Sequence, residues 1–282
     1  MGMSTSGERS ADWLDSNRAL WDERVPIHAS SDPYDVDGFL KGANVLMDFE
    51  AGEVGDVAGK RLLHLQCHMG QETLTWARLG AARVVGLDFS EPALKVAREL
   101  AAELGYGEDR AAFVRSDVYE AASSVPEADY DIVYVSVGSI NWLPDVRRWA
   151  RVVASLLAPG GFLYLYEFHP VSHTLDEATG SRFVRDYIAR GPVVRETPGS
   201  YTDRHGPASS TVNNLATEWV HGLGEVVSAL VAAGLRIEFL HEYDRTMFPQ
   251  FKSFVQGEDG CFRPPPEQPR VPLLYSLRAA RD

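Results

Sequence analysis

The chain has 282 residues, 45% apolar and 24% charged, with 40 acidic against 27 basic side chains and a net charge of −13. Such a composition can bury a sizeable core and excludes a largely disordered chain, and its sign disfavours a phosphate-facing surface for nucleic acid. Cys67 and Cys261 cannot frame a disulfide scaffold and no apolar run of about eighteen residues occurs, so the expectation is a cytoplasmic protein with neither membrane nor nucleic-acid partner.

Residues 12–24 read as a helix that precedes the core. From there short apolar runs alternate with helical patterns. Strands are predicted over 61–65, 84–87, 112–115, 131–137 and 162–168, and helices over 72–79, 90–104 and 146–157. The 90–104 helix is the clearest. Ser90 can cap it, Pro92 fits its first turn, Gly105 can end it, and Leu94, Ala97, Leu100, Ala101 and Leu104 form its apolar stripe. After His169 the alternation breaks, and 183–188 is expected to pair with 211–219 as an excursion from the core. A helix over 222–233 and strands over 235–240 and 273–279 resume the pattern. A loop, not a helix, joins those last strands, which predicts an antiparallel final strand. The fold class expected is α/β, a Rossmann-like seven-stranded, mostly parallel sheet with helices on both faces and a cap insertion. The division expected is a helical lid at 1–50, a cofactor-binding core at 51–168, a cap at 169–217, and a C-terminal core part at 218–282 with a lid loop at 242–271.

Ligands of such sheets sit beyond the carboxyl ends of the strands. The first strand enters His64-Leu65-Gln66-Cys67-His68-Met69-Gly70-Gln71-Glu72, and a helix follows. A glycine in that turn lets a ligand approach the backbone, and the helix N-terminus offers free N–H donors. Asp88 closes the second strand 18 positions after Gly70. An acid near that distance in a nucleotide-binding unit holds ribose hydroxyls, while the plainer reading has Asp88 start the turn before Ser90. Asp117-Val118 could meet an adenine ring or be a surface turn. His68, Cys67 and His64 fit none of the usual zinc spacings, so no metal is expected.

The segments 62–72, Val84-Val85-Gly86-Leu87-Asp88-Phe89-Ser90, Ser116-Asp117-Val118, Tyr130-Asp131-Ile132-Val133 and 157–163, in this order, resemble a class I S-adenosylmethionine-dependent methyltransferase of the small-molecule type. The likeness covers roughly residues 55–168, and the last two strands fit the family's end. It implies S-adenosylmethionine as cofactor and a small-molecule methyl acceptor as partner. It implies that the turn with Gln66, Cys67, His68 and Gly70 wraps the methionine part. Asp88, with Phe89 and Ser90 behind it, would hold the ribose. Asp117 would hold the adenine amino group, the Val118 backbone would support the ring, and Ser136 would lie beside the methionine end. The family's turn usually begins with an acid and carries three glycines. Here His64 stands at the acid position, Gln66 and His68 stand at the first two glycine positions, and Gly70 is kept.

Methyl transfer needs an acceptor held in line and dry, plus a base if the acceptor is a hydroxyl or a protonated amine. His169, straight after the fifth strand, is the first candidate base, although it could equally anchor the turn before Pro170. His173, His205 and His221 are further candidates. Asn141, Trp142 and His221 are expected on the acceptor side, and the phenylalanines of the 242–271 loop either line a substrate pocket or form cap core. The expected activity is methylation of an oxygen or nitrogen atom of a small metabolite. A cyclase or binding protein that keeps the cofactor as scaffold is the alternative. A nicotinamide-dependent oxidoreductase explains Asp88 equally well but predicts a G-x-G-x-x-G turn that the chain lacks.

Overall fold

The computed structural model describes residues 8–188, 191–203 and 209–282. Its helices are α1 (Glu8–Ala29), α2 (Val36–Leu40), α3 (Glu50–Val54), α4 (Gln71–Arg78), α5 (Glu91–Glu103), α6 (Ala121–Ser124), α7 (Val146–Leu156) and α8 (Leu223–Ala232). Its strands are β1 (Arg61–Leu65), β2 (Arg83–Asp88), β3 (Ala111–Arg115), β4 (Tyr130–Val135), β5 (Leu157–Phe168), β6 (Val193–Glu196), β7 (Leu215–Glu218), β8 (Arg236–Tyr243), β9 (Val255–Gln256), β10 (Phe262–Arg263) and β11 (Leu274–Ala280).

Seven strands form one sheet in the order β3-β2-β1-β4-β5-β11-β8. β1 to β5 are parallel, and β11 runs antiparallel to both neighbours, as its loop connection requires. Side chains alternate between two cores. Leu63, Leu65, Val133 and Val135 face α7 and α8, while Leu62, Val84, Ile132 and Tyr134 face α4 and α5. The chain winds outward to β3 and then returns to β4, so the switch point lies between β1 and β4. The turn at 66–70 and the segment at 136–140 meet there. Local chemistry sets the helix starts. The Ser90 hydroxyl accepts from the Ala93 N–H, and the Asp145 carboxylate accepts from the Arg148 N–H.

Three expectations change. α1 continues through Pro26 to Ala29 instead of stopping at residue 24. β4 ends at Val135, because the following N–H groups turn aside to the Glu167 carboxylate. The excursion pairs β7 with β6 at 193–196, while Phe183 makes one isolated bridge to Leu175. α1 lies along this hairpin. The Asn17 side chain donates to the Thr217 carbonyl (2.8 Å) and accepts from its N–H (2.9 Å), as a neighbouring strand would. Phe251 and Phe254 form a small core with Leu175 and Leu273, so these loop phenylalanines are cap core. Among the described residues no helix is long and apolar enough to cross a membrane.

Candidate active site

The altered turn keeps a glycine backbone. Gln66, His68 and Gly70 all adopt left-handed conformations, with φ of 58°, 48° and 72°. For a residue with a Cβ this costs roughly 1–2 kcal/mol, so tertiary contacts must offset it. Gln66 Nε2 donates to the Ser139 carbonyl (2.9 Å), and the His68 N–H donates to Asp88 Oδ2 (2.8 Å). The His68 ring is held by α1 and by the segment that joins it to α2. His28 Nδ1 is 3.3 Å from His68 Nε2, Trp21 meets the ring edge-on, and Tyr34 packs beside it. Burial lowers His28 to about 4 and His68 to about 3, so both are neutral near pH 7. Gly70 is kept for space as well as for φ. A Cβ there would lie 2.6 Å from Phe113 Cε1 and 2.9 Å from the Ala97 methyl.

Cys67 belongs to the turn only through its backbone. Its N–H donates to the Leu87 carbonyl, and its buried thiol, pushed up by burial, packs beneath Gly86. Asp88 is buried, accepts from the His68 and Ser90 N–H groups, and is raised by burial to about 6. The Ser90 hydroxyl donates to Asp22 of α1 (2.6 Å), which ties the helix over this corner. A narrow, partly open cleft lies beside it, lined by Gln66, Phe89, Ser116, Asp117, Val118, Trp142 and Leu143 and walled by Trp13, Leu14 and Asn17 of α1. Trp142, expected on the acceptor side, is thus a wall of this cleft, where its ring meets Trp21 edge-on.

Below the turn, His64 is fully buried and lowered to about 3. Its Nδ1 lies 2.8 Å from Thr73 Oγ1 and its Nε2 lies 3.2 Å from Ser136 Oγ. Glu72 Oε2 stands 3.8 Å from the same Nε2. Burial raises both Glu72 and its neighbour Glu50. Sequence reasoning gave Glu72, Glu167, Trp21 and His28 no role. Glu167 carried a signal, an acid at a strand's carboxyl end. His28 carried none, because Pro26 stood before it.

A second, narrow and partly open cavity lies at the carboxyl ends of β4 and β5. Ile140, Asn141, Glu167, Phe168, Pro170, His173, Trp219, Val220, His221 and Tyr275 line it. Glu167 accepts from the N–H groups of Gly138, Ser139, Ile140 and Phe168 and so fixes the loop above β4. Asn141 and His221 are both here. The Asn141 carbonyl accepts from the Trp219 N–H, while its buried Oδ1 has no partner among the described residues. His221 is anchored through Leu143 O (2.7 Å) and Glu225 Oε2 (3.3 Å). His169 is not in the lining. Its Nδ1 accepts from the Val171 N–H (3.2 Å) in the turn, and its Nε2 lies 3.0 Å from Glu242 on β8 but makes no hydrogen bond among the described residues. His173 is in the lining and is lowered to about 4, first by burial and then by Arg195 and Arg185. His205 lies outside the described residues.

The donor set suits a zwitterionic, nucleoside-bearing ligand. Gln66 Oε1 and His68 Nδ1 are buried without a hydrogen-bond partner among the described residues, and a mostly apolar cleft has Gln66 and Asp117 in its lining. The comparisons with known proteins agree. Residues 62–161 match the family described as a methyltransferase domain. The chain is 30% identical over 226 residues to the trans-aconitate 2-methyltransferase of Methylobacterium radiotolerans, covering 73% of this chain and 80% of that one. It is 32% identical over 159 residues to the 27-O-demethylrifamycin SV methyltransferase of Amycolatopsis mediterranei, where it spans 55% of the relative's length. The crystal structure of an S-adenosylmethionine-dependent methyltransferase from Mesorhizobium loti shares the fold, with a TM-score of 0.58 at 24% identity over 86% of this chain and 100% of that one. With a sheet of this order, a first turn of glycine geometry and a relative alike over four-fifths of its length, the chain belongs to the class I S-adenosylmethionine-dependent methyltransferases.

Proposed function

We propose that the protein methylates an oxygen atom of a small, neutral and partly apolar acceptor bound in the second cavity. The observation that carries this reading is the lining, which joins Ile140, Phe168, Trp219 and Val220 to a neutral imidazole and an unengaged amide oxygen. The net charge of −13 disfavours a polyphosphate acceptor.

When bound, S-adenosylmethionine supplies a methyl group on a sulfonium, which passes in line to a nucleophile. The residues of the chain have the task of orienting that nucleophile and taking its proton. Gln66, His68, Gly70 and Ser136 would border the methionine end, Asp88 the ribose, and Asp117 and Val118 the adenine. Asn141 Oδ1 can accept a hydrogen bond from an acceptor hydroxyl. His173, neutral at pH 7, can take the hydroxyl proton. His169 is the first candidate for that task on sequence grounds, but using it would first break its bond from Val171 or its contact with Glu242.

The test is to measure formation of S-adenosylhomocysteine with a panel of phenols, aliphatic alcohols, amines and carboxylic acids. Turnover with hydroxyl acceptors, a kcat lower by about 10²-fold or more in His173→Gln, and nearly unchanged kcat in His169→Gln support the reading. Turnover confined to amines or acids, or a kcat that depends on His169 and not on His173, refutes it.

A further inference from the structure

We propose that Glu72, in the first turn of α4, supplies the carboxylate that holds the ammonium group of the cofactor's methionine part, a task the family assigns to an acid at the end of β1. The inference rests on the family membership shown above and concerns a residue outside the family's own pattern.

The starting point is a missing charge. His64 holds the place of the acid, yet burial keeps its ring neutral, and both ring nitrogens face hydroxyls. A neutral imidazole cannot balance a buried ammonium, and an unbalanced buried charge is costly. A carboxylate is therefore required nearby. Glu72 Oε2 lies 3.8 Å from His64 Nε2, close to where a strand-end acid would place its carboxylate; burial raises Glu72 to about 7, and an ammonium beside it would favour its charged form. Ser136, whose hydroxyl lies 3.2 Å from the same His64 Nε2 and draws the Glu72 carboxyl down, follows β4 on the far side of the switch point. The Glu72 side chain is 27% exposed, whereas that of His64 is fully closed off. Glu72 is thus the member of this cluster that a ligand can reach.

The neighbouring acids are committed elsewhere. Glu50 is closed over by the Tyr134 hydroxyl and the Met47 N–H. Glu167 already accepts four backbone N–H groups. Asp88 sits at the end of β2 and binds the His68 and Ser90 N–H groups. The displacement also explains why His64 is tolerated. Once the charge comes from α4, the strand-end position need carry none, and His64 is held there by the Thr73 and Ser136 hydroxyls.

The experiment is calorimetric titration of wild type and Glu72→Gln with S-adenosylmethionine, S-adenosylhomocysteine and 5′-methylthioadenosine. The first two carry the ammonium. The third keeps the nucleoside and lacks the amino acid end, so it also reports whether the variant is folded. The expected result is a loss of tenfold or more in affinity for the first two, by similar factors, with methylthioadenosine binding changed less than twofold. Equal weakening of all three ligands, or of none, overturns the inference. A loss confined to S-adenosylmethionine would point to the sulfonium and overturns it too. Wild-type protein that binds none of the three overturns the cofactor reading and the inference with it, an outcome separate from an ineffective substitution.

Discussion

Replacing Gly70 with alanine tests why this glycine is kept in a turn where two others are replaced. At Gly70 two costs coincide. The left-handed backbone, at φ 72°, costs a residue with a Cβ roughly 1–2 kcal/mol. The added methyl would lie 2.6 Å from Phe113 Cε1 and 2.9 Å from the Ala97 methyl. Phe113 cannot swing away freely, because Gly86 also packs against its ring at a distance that would exclude a methyl. Overpacking of this kind costs about 1–3 kcal/mol, and the lower entropy of the unfolded alanine chain returns about 0.4–1 kcal/mol. The net loss is about 1–4.5 kcal/mol. Gly105 is the control. It has φ 75° and open space around its missing Cβ, so Gly105→Ala should cost about 1 kcal/mol or less. Urea denaturation of both variants measures the difference, and thermal melts should put Gly70→Ala about 5–10 °C lower. Equal losses would refute the argument that the close approach to Phe113 and Ala97 preserves Gly70. They would leave the backbone angle as the whole explanation, and that angle also holds at Gln66 and His68.

Asp88→Asn should weaken S-adenosylmethionine binding about 10–100-fold, because charge-assisted bonds of about 1.5–3 kcal/mol are lost, and calorimetry reads this directly. Asn17→Ala leaves the buried Thr217 N–H and carbonyl without their partner and should cost about 2–3 kcal/mol in urea melts, with faster proteolysis of the α1 region. The pH prediction concerns His68. Its folded value, about 3, lies below its unfolded value of about 6.5, so its stability contribution is whole above about 6.5 and declines as pH falls toward about 3. Between pH 7 and pH 5 the wild type should therefore lose about 1–2 kcal/mol more than His68→Asn, a residue that also tolerates positive φ. Parallel pH dependence of the two melts would contradict it.

The sequence by itself determined the elements whose signals are local. Ser90, Pro92 and Gly105 bracket α5 within a few turns of chain. Strand–helix alternation determined the parallel sheet, and the spacing from the turn to Asp88 marked that acid as a candidate for a ribose. Each of these depends on neighbours along the chain, where capping and periodicity act. The tertiary structure decided what depends on distant partners. Asn17 meets Thr217 across 200 residues, and no local pattern encodes that pairing. The continuation of α1 past Pro26 brings His28 to His68, and that contact helps a histidine hold a glycine conformation. His169 and His173 both follow β5, and a bond from Val171 and a contact with Glu242 commit the first while the second faces a cavity. Nothing along the chain sets Glu72 apart from any acid in the first turn of a helix. Only the packing of β1, α4 and the segment after β4 sets its carboxylate beside a buried, neutral His64, because charge balance in a closed site is fixed by what surrounds a group in space and not by what precedes it in the chain.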